Sequence, residues 1–172
     1  GNPERVRAIR TTANLFNVLG AAPFFGRVFA TGEDQPGRNP VVILSEGFWR
    51  RRFGGDRAVL GKLVSLDNTL YTVVGVMPSA FDFPITPIHN DVWIPLLWTP
   101  TDLKQRGNHW MSVIGRLKPA VDSAAANAQM ATIAERIARD FPNEQKDRGV
   151  QINTVNGVVV GRVRTPLLML LG

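Results

Sequence analysis

Apolar and polar positions along the chain change period several times, and each change marks an element. "RVRAIRTT" has the composition of a strand, and Asn14 is placed to cap a brief helix, "LFNVL", that Gly20 would end. "AAPFFGRVFATGEDQPGRNP" supplies apolar anchors and then a polar Gly/Pro stretch, which predicts a boundary near Asn39. "PVVILS" is a compact β-rich run, and its Ser45 is an N-cap candidate for the helix "EGFWRRRF", stopped by Gly54 and Gly55. "KLVSL" and "LYTVVGVM", separated by "DNT", predict a hairpin. "PSAFDFPITPIHN" is a proline-broken loop, "DVWIPL" another short strand, and "TPTDLKQRGNH" a polar segment.

From His109 the pattern changes again. "HWMSVIGRLK" predicts a strand broken by Pro119, and Asp122 is placed to cap the one long helix. Along that helix Ala126, Met130, Ile133, Ile137 and Phe141 recur at steps of three or four, leaving Gln129, Glu135, Arg136 and Arg139 to solvent. "GVQINTV" predicts a last strand, and "GRVRTPLLMLLG" ends the chain on a basic and leucine-rich tail. No internal repeat at solenoid or propeller period is present.

A chain of 172 residues with 44% hydrophobic and 20% charged residues, 16 glycines and 12 prolines is long enough for a real core and rich in turns. The fold class expected is α+β. Twenty basic and 14 acidic side chains give a formal charge of +6, which raises a nucleic-acid or anionic-surface interpretation. The basic residues are scattered, however, and only "FWRRRF" is dense, which favours a solvated helix face. The absence of cysteine excludes disulfides and thiolate-bound metal centres. Gly1-Asn2-Pro3 has none of the features of a signal peptide.

Candidate chemistry is thin. His89 and His109 are the two histidines, and neither has the spacing that sets two ligands on one helix face. Asp91, two residues after His89, admits a carboxylate–imidazole site, with a polar loop as the plainer interpretation. Ser45 lacks the GxSxG turn of a nucleophile. Gly54, Gly55, Gly61 and Lys62 lack the order of a phosphate loop, since Leu63 follows the lysine. Glu33 with Asp34, and Asp140 with Glu144, read as surface charges. Phe48, Trp49, Phe53, Trp93, Trp98 and Trp110 would either line a ligand groove or fill the core. No catalytic, cofactor-binding or metal-binding residue is nominated.

Taken in order, "TANLFNVLGAAPFFGRVF", "NPVVILSEGFWRRRFGGD", "VLGKLVSLDNTLYTVVGVMP", "DVWIPL", "VIGRLKP" before the long helix, and "RTPLLMLLG" resemble the extracytoplasmic core domain of MacB-like ABC transporter permeases of the macrolide-exporter type, within the FtsX-like permease superfamily. The resemblance implies a domain between the first two membrane helices of a permease in the bacterial inner membrane, facing the periplasm. It implies a porter-like, βαβ-rich part formed by residues 1–38 and 108–160, N-terminally incomplete here, and an inserted small α/β Sabre-like part at 39–107. Residues 161–172 would then begin a membrane helix: "TPLLMLL" is shorter than the about 20 apolar residues a span needs, and Pro166 suits a first helical turn.

The implied function is non-catalytic coupling of ATP-driven helix movement to export or substrate extraction, that is, mechanotransmission. No cofactor is expected in this domain, ATP and Mg belonging to a separate cytoplasmic ABC ATPase. The expected partners are that ATPase, a second copy of the permease in a homodimer, and a periplasmic adaptor protein, with no nucleic acid. Two alternatives stand beside it: a solute-binding or sensor module with an aromatic groove, and a basic nucleic-acid-binding protein.

Overall fold

The computed structural model describes residues 4–86, 88–99, 101–102, 111–145 and 149–155. The chain divides into two compact units, residues 1–104 and 105–172.

The first unit is built on a mixed sheet. Its elements are β1 (Ala8–Thr11), α1 (Leu15–Leu19), β2 (Phe25–Gly26), β3 (Val41–Ser45), α2 (Glu46–Phe53), β4 (Leu63–Leu66), β5 (Thr69–Met77) and β6 (Val92–Pro95). The sheet runs β1-β6-β3-β5-β2, with β4 also paired to β5. β1 is parallel to β6 and β3 is parallel to β5, while the β6/β3, β5/β4 and β5/β2 pairs are antiparallel.

Both faces of this sheet are covered, which explains why β3 reads as an unbroken apolar run. Val42 and Leu44 enter one core with Phe48 and Trp49 of α2, and Val41 and Ile43 enter the other with Phe16 of α1, Phe29 and Trp93. The register slips between Val42 and Ile43, which pair with Val73 and Gly75 and leave Val74 as an extra residue on β5. The bulge resets the alternation, so Val73 and Val76 face the same core while Met77 faces the opposite one.

Local signals carry the rest. Ser45 Oγ accepts from the Phe48 amide at 3.2 Å and starts α2, and Gly54 and Gly55 end it at φ 61° and 75°. Asp67 and Asn68 turn the β4/β5 hairpin with φ 48° and 62°, the left-handed pair that a two-residue turn with strand-like twist requires. Gly20 closes α1 in the left-handed region as expected. Asn14 does not cap it: its backbone is already helical, and its Oδ1 accepts from Thr12 Oγ1 at 2.8 Å instead. Gly26 and Gly75 meet where β2 crosses β5. A Cβ on Gly75 would lie 2.2 Å from the Arg27 carbonyl oxygen, and one on Gly26 would lie 2.5 Å from that of Val74.

The described residues before Asn39 and those of the insert expected at 39–107 share this sheet and its cores. β1 is hydrogen bonded to β6, and the Phe16 and Trp93 rings meet edge to face at 6.2 Å. Asn39 therefore does not separate two hydrophobic cores.

The second unit contains α3 (Ser123–Asp140) and α4 (Pro142–Gln145). Asp122 Oδ1 caps α3 by accepting from the Ala125 amide at 2.7 Å. Ala126 is buried and Met130 and Ile133 are half-buried, while Ile137 is exposed. The strands expected at "HWMSVIGRLK" and "GVQINTV" are absent from the described residues 111–118 and 149–154. A strand needs a ladder partner for its amides and carbonyls. At Ile152 a side chain takes that place: Asn127 Oδ1 accepts from its amide at 2.7 Å, and Asn127 Nδ2 donates to its carbonyl at 3.3 Å. His109, Trp110 and the tail 161–172 lie outside the described residues. Among the described residues no helix is long and apolar enough to cross a membrane.

Candidate functional site

The structure separates His89 from Asp91 although only one residue lies between them. Asp91 is a clasp. Its Oδ2 accepts from the Arg7 amide at 3.0 Å, just before β1, and its Oδ1 accepts from Arg51 Nη2 of α2 at 2.9 Å. Its own carbonyl accepts from the Ser45 amide at 2.8 Å. Arg51 also reaches Glu4 at 2.8 Å, and these two carboxylates, Asp91 first, raise the Arg51 pKa above its ordinary value. His89 points to solvent, its side chain 94% exposed, with Nδ1 against Asp82. Asp82 Oδ1 in turn accepts from the Asn90 side-chain amide at 2.7 Å, and Trp93 Nε1 donates to the Phe83 carbonyl at 2.8 Å. These bonds shape the proline-broken loop and tie it to β6.

The other sequence candidates also hold the chain to itself. Glu33 forms a two-pronged pair with Arg27 at 2.6 and 2.8 Å and accepts from the Ala30 amide, which together keep its pKa below the ordinary value. Asp34 accepts from the Ala13 amide at 2.9 Å. Ser45 serves as the cap of α2. Lys62 pairs with Asp56 at 3.3 Å, and Gly61 holds φ 79° in the turn before β4. Glu46 accepts from Arg50 and from the Ser79 amide, and its pKa is lowered, chiefly by Arg50. Asp140 is exposed, and the Glu144 side chain lies outside the described set.

Among the aromatics proposed for a groove, Trp93, Phe48 and Trp49 are buried in the cores, and Phe53 and Trp98 are half-buried. Among the described residues no three His, Asp or Glu side chains come together to hold a metal. Sequence reasoning missed two surface features. One is a cleft of about 430 Å³ lined by Arg27, Thr31, Glu33, Arg38 and Asn39 over Val41 and Val74. The other is an exposed patch of Phe24, Leu60 and Arg57 on the side of α2. The patch joins Phe24 to Arg57 and Leu60, and the cleft sets one loop over Val41 and Val74 of two different strands, so neither stands out as a linear pattern.

The arrangement is that of a firmly tied scaffold. The family model for the MacB-like periplasmic core domain matches residues 1–133. The chain belongs to this family. Over 77 residues this MacB-like domain is 30% identical to the macrolide export ATP-binding/permease protein MacB of Wolinella succinogenes, a stretch covering 45% of the chain and 12% of that protein. The periplasmic region of MacB from Actinobacillus actinomycetemcomitans is similar in fold, with a TM-score of 0.51 and 22% identity, over 80% of this chain and 58% of that one. A domain of a putative permease from Porphyromonas gingivalis aligns at a TM-score of 0.47 and 22% identity, over 75% of this chain and 58% of that one. The α+β class expected from sequence is thus the architecture observed, and the chain spans only part of the proteins it matches.

Proposed function

We propose that this MacB-like domain is the extracytoplasmic part of an inner-membrane ABC transporter permease and that it passes on mechanical movement. In this proposal a cytoplasmic ATPase partner hydrolyses ATP, two permease copies work as a dimer, and a periplasmic adaptor is a candidate third component. The family match supports the location. One structural observation carries the mechanical reading: Asp91 ties the segment before β1 to α2, and Asp34 ties the loop after β2 to the segment before α1, around a sheet covered on both faces. The first unit, tied in this way, is suited to move as one piece when pulled.

The first test is location. Cysteine placed at the exposed hairpin turn, Asn68→Cys, in the full-length parent should react with a membrane-impermeant maleimide in intact cells, and protection until lysis would discard the permease assignment. The second test is coupling. Asp91→Ala releases the clasp between β1, β6 and α2, so the parent should keep ATP turnover and lose export. Saturable binding of the exported compound by the isolated chain would instead favour a solute-binding role.

A further inference from the structure

We infer that the surface formed by Phe24, Phe25, Leu60 and Arg57 is a docking site for an acidic segment of another protein, one that carries an apolar side chain beside its carboxylate. Phe24 is 45% exposed and Leu60 38% exposed, so two large apolar side chains stand in water next to each other's supports. The platform beneath them is fixed. Phe24 meets Phe25 edge to face at 5.7 Å, and Phe25 meets Trp49 at 4.9 Å. Trp49 is buried and anchored by its Nε1 donating to the Asp56 carbonyl at 2.8 Å. Leu60 Cδ2 lies 3.0 Å from where a Cβ would stand on Gly26, the residue after Phe25 in the chain, and the Leu60 amide donates to the Arg57 carbonyl at 3.4 Å.

Arg57 supplies the charge. Its guanidinium carbon lies 5.2 Å from the Phe25 ring centre and 5.8 Å from that of Phe24. Arg27, Arg50 and Arg51 each have a carboxylate within ion-pair distance, whereas Arg57 has none among the described residues. The neighbouring Asp56 carboxylate is engaged by the Ala58 amide and Lys62. The rings thus orient a planar fork of donors whose natural complement is a carboxylate held by two hydrogen bonds. Aromatic residues and arginine at a rigid, partly exposed cluster are also the composition that dominates protein–protein binding energy.

Charge complementarity selects an acidic partner, and the exposed Phe24 and Leu60 require an apolar neighbour on it. A bilayer is a poorer fit, because anionic-surface binding needs several basic residues together, while this patch presents one uncompensated arginine. The inference stands apart from the transport proposal and survives its failure.

The probe is the peptide acetyl-Glu-Leu-Asp-Phe-Glu-amide, titrated into the 172-residue chain and followed by amide NMR shifts. Saturable shifts are expected at Phe24, Phe25, Arg57 and Leu60. Arg57→Gln should weaken binding at least about tenfold while the chain stays folded, with its amide spectrum outside the patch unchanged; Arg57→Lys should fall between, and acetyl-Glu-Gly-Asp-Gly-Glu-amide should bind about tenfold more weakly than the apolar peptide. The proposal is overturned by equal binding of the two peptides, by an Arg57→Gln variant that binds as well as the parent, or by no saturation at about 1 mM peptide. It is equally overturned if the patch binds phosphatidylglycerol vesicles and not the peptide, or if Arg57→Gln abolishes self-association of the chain in sedimentation.

Discussion

Val41 to Leu44 and the stripe Met130, Ile133 and Ile137 are both apolar runs of the right period for their elements, but they end in different environments. Val41 to Leu44 are all buried, because α1 and its following loop cover one side of the sheet and α2 covers the other. On α3 the same kind of side chain is half-covered, and Ile137 remains exposed. The difference teaches that periodicity reports which face of an element is apolar, while burial depends on a second layer to meet it. In the first unit that layer comes from segments far apart in sequence. In the second unit, among the described residues, Ala126 is the one apolar residue fully buried.

The comparison can be broken most directly by truncating one side chain from each run. Trp93→Ala removes the largest fully buried side chain of the first unit and leaves the Phe83 carbonyl without its donor. It should cost about 3–5 kcal/mol in urea unfolding of that unit. Ile133→Ala on half-covered α3 should cost less than about 1 kcal/mol, and a loss as large as that of Trp93 would mean that α3 is buried as deeply as β3.

A smaller effect tests the bulge. Gly75→Ala drives a methyl against the Arg27 carbonyl and should destabilise the first unit by about 1–3 kcal/mol through overpacking. The second unit's hydrogen exchange should stay unchanged, and equal loss of protection in α3 would show that the two units do not unfold independently.

The smallest effect is a pH dependence confined to the first unit. Glu33 has its carboxyl held below the ordinary 4.5, chiefly by Arg27. A lowered folded-state pKa stabilises above the unfolded value, and that contribution is lost as pH falls through the folded one. The urea midpoint should therefore hold from pH 7 down to about 5 and fall below about 4.5. Glu33→Gln should lower the unfolding free energy by less than about 1 kcal/mol at pH 7, since the pair is partly exposed, and should converge with the parent in acid. A constant difference at all pH values would assign the effect to lost packing rather than charge.

Much of the first unit was legible in the sequence because its signals are local. Ser45, Gly54 and the Asp67-Asn68 turn act on backbone within four residues, and each stands where the sequence placed it. Asn14 shows the limit. Its type suited a cap, but a neighbouring threonine hydroxyl offered a nearer partner. The candidate site was legible only as a set of residue types. His89 and Asp91 are two apart in sequence, yet the first points to solvent and the second joins Arg7 to Arg51, because both stand in the loop before β6, where no strand alternation sets their direction and each follows its own partners. The strands expected at 111–118 and 149–154 failed for the opposite reason, their composition being right but no ladder partner being present among the described residues.

By itself the sequence determined where helices and turns begin and end, which faces are apolar, and the order of landmarks that marks a MacB-like periplasmic core domain. Tertiary structure alone decided that β1 and the strands that follow Asn39 share one sheet, that Val74 is bulged out, that Gly26 and Gly75 must stay bare, and that Arg57 rests on two phenylalanine rings without a carboxylate within ion-pair reach among the described residues. The physical reason is range: capping and turn preferences act through bonds between near neighbours, whereas packing, register and charge pairing depend on which distant segments are brought into contact.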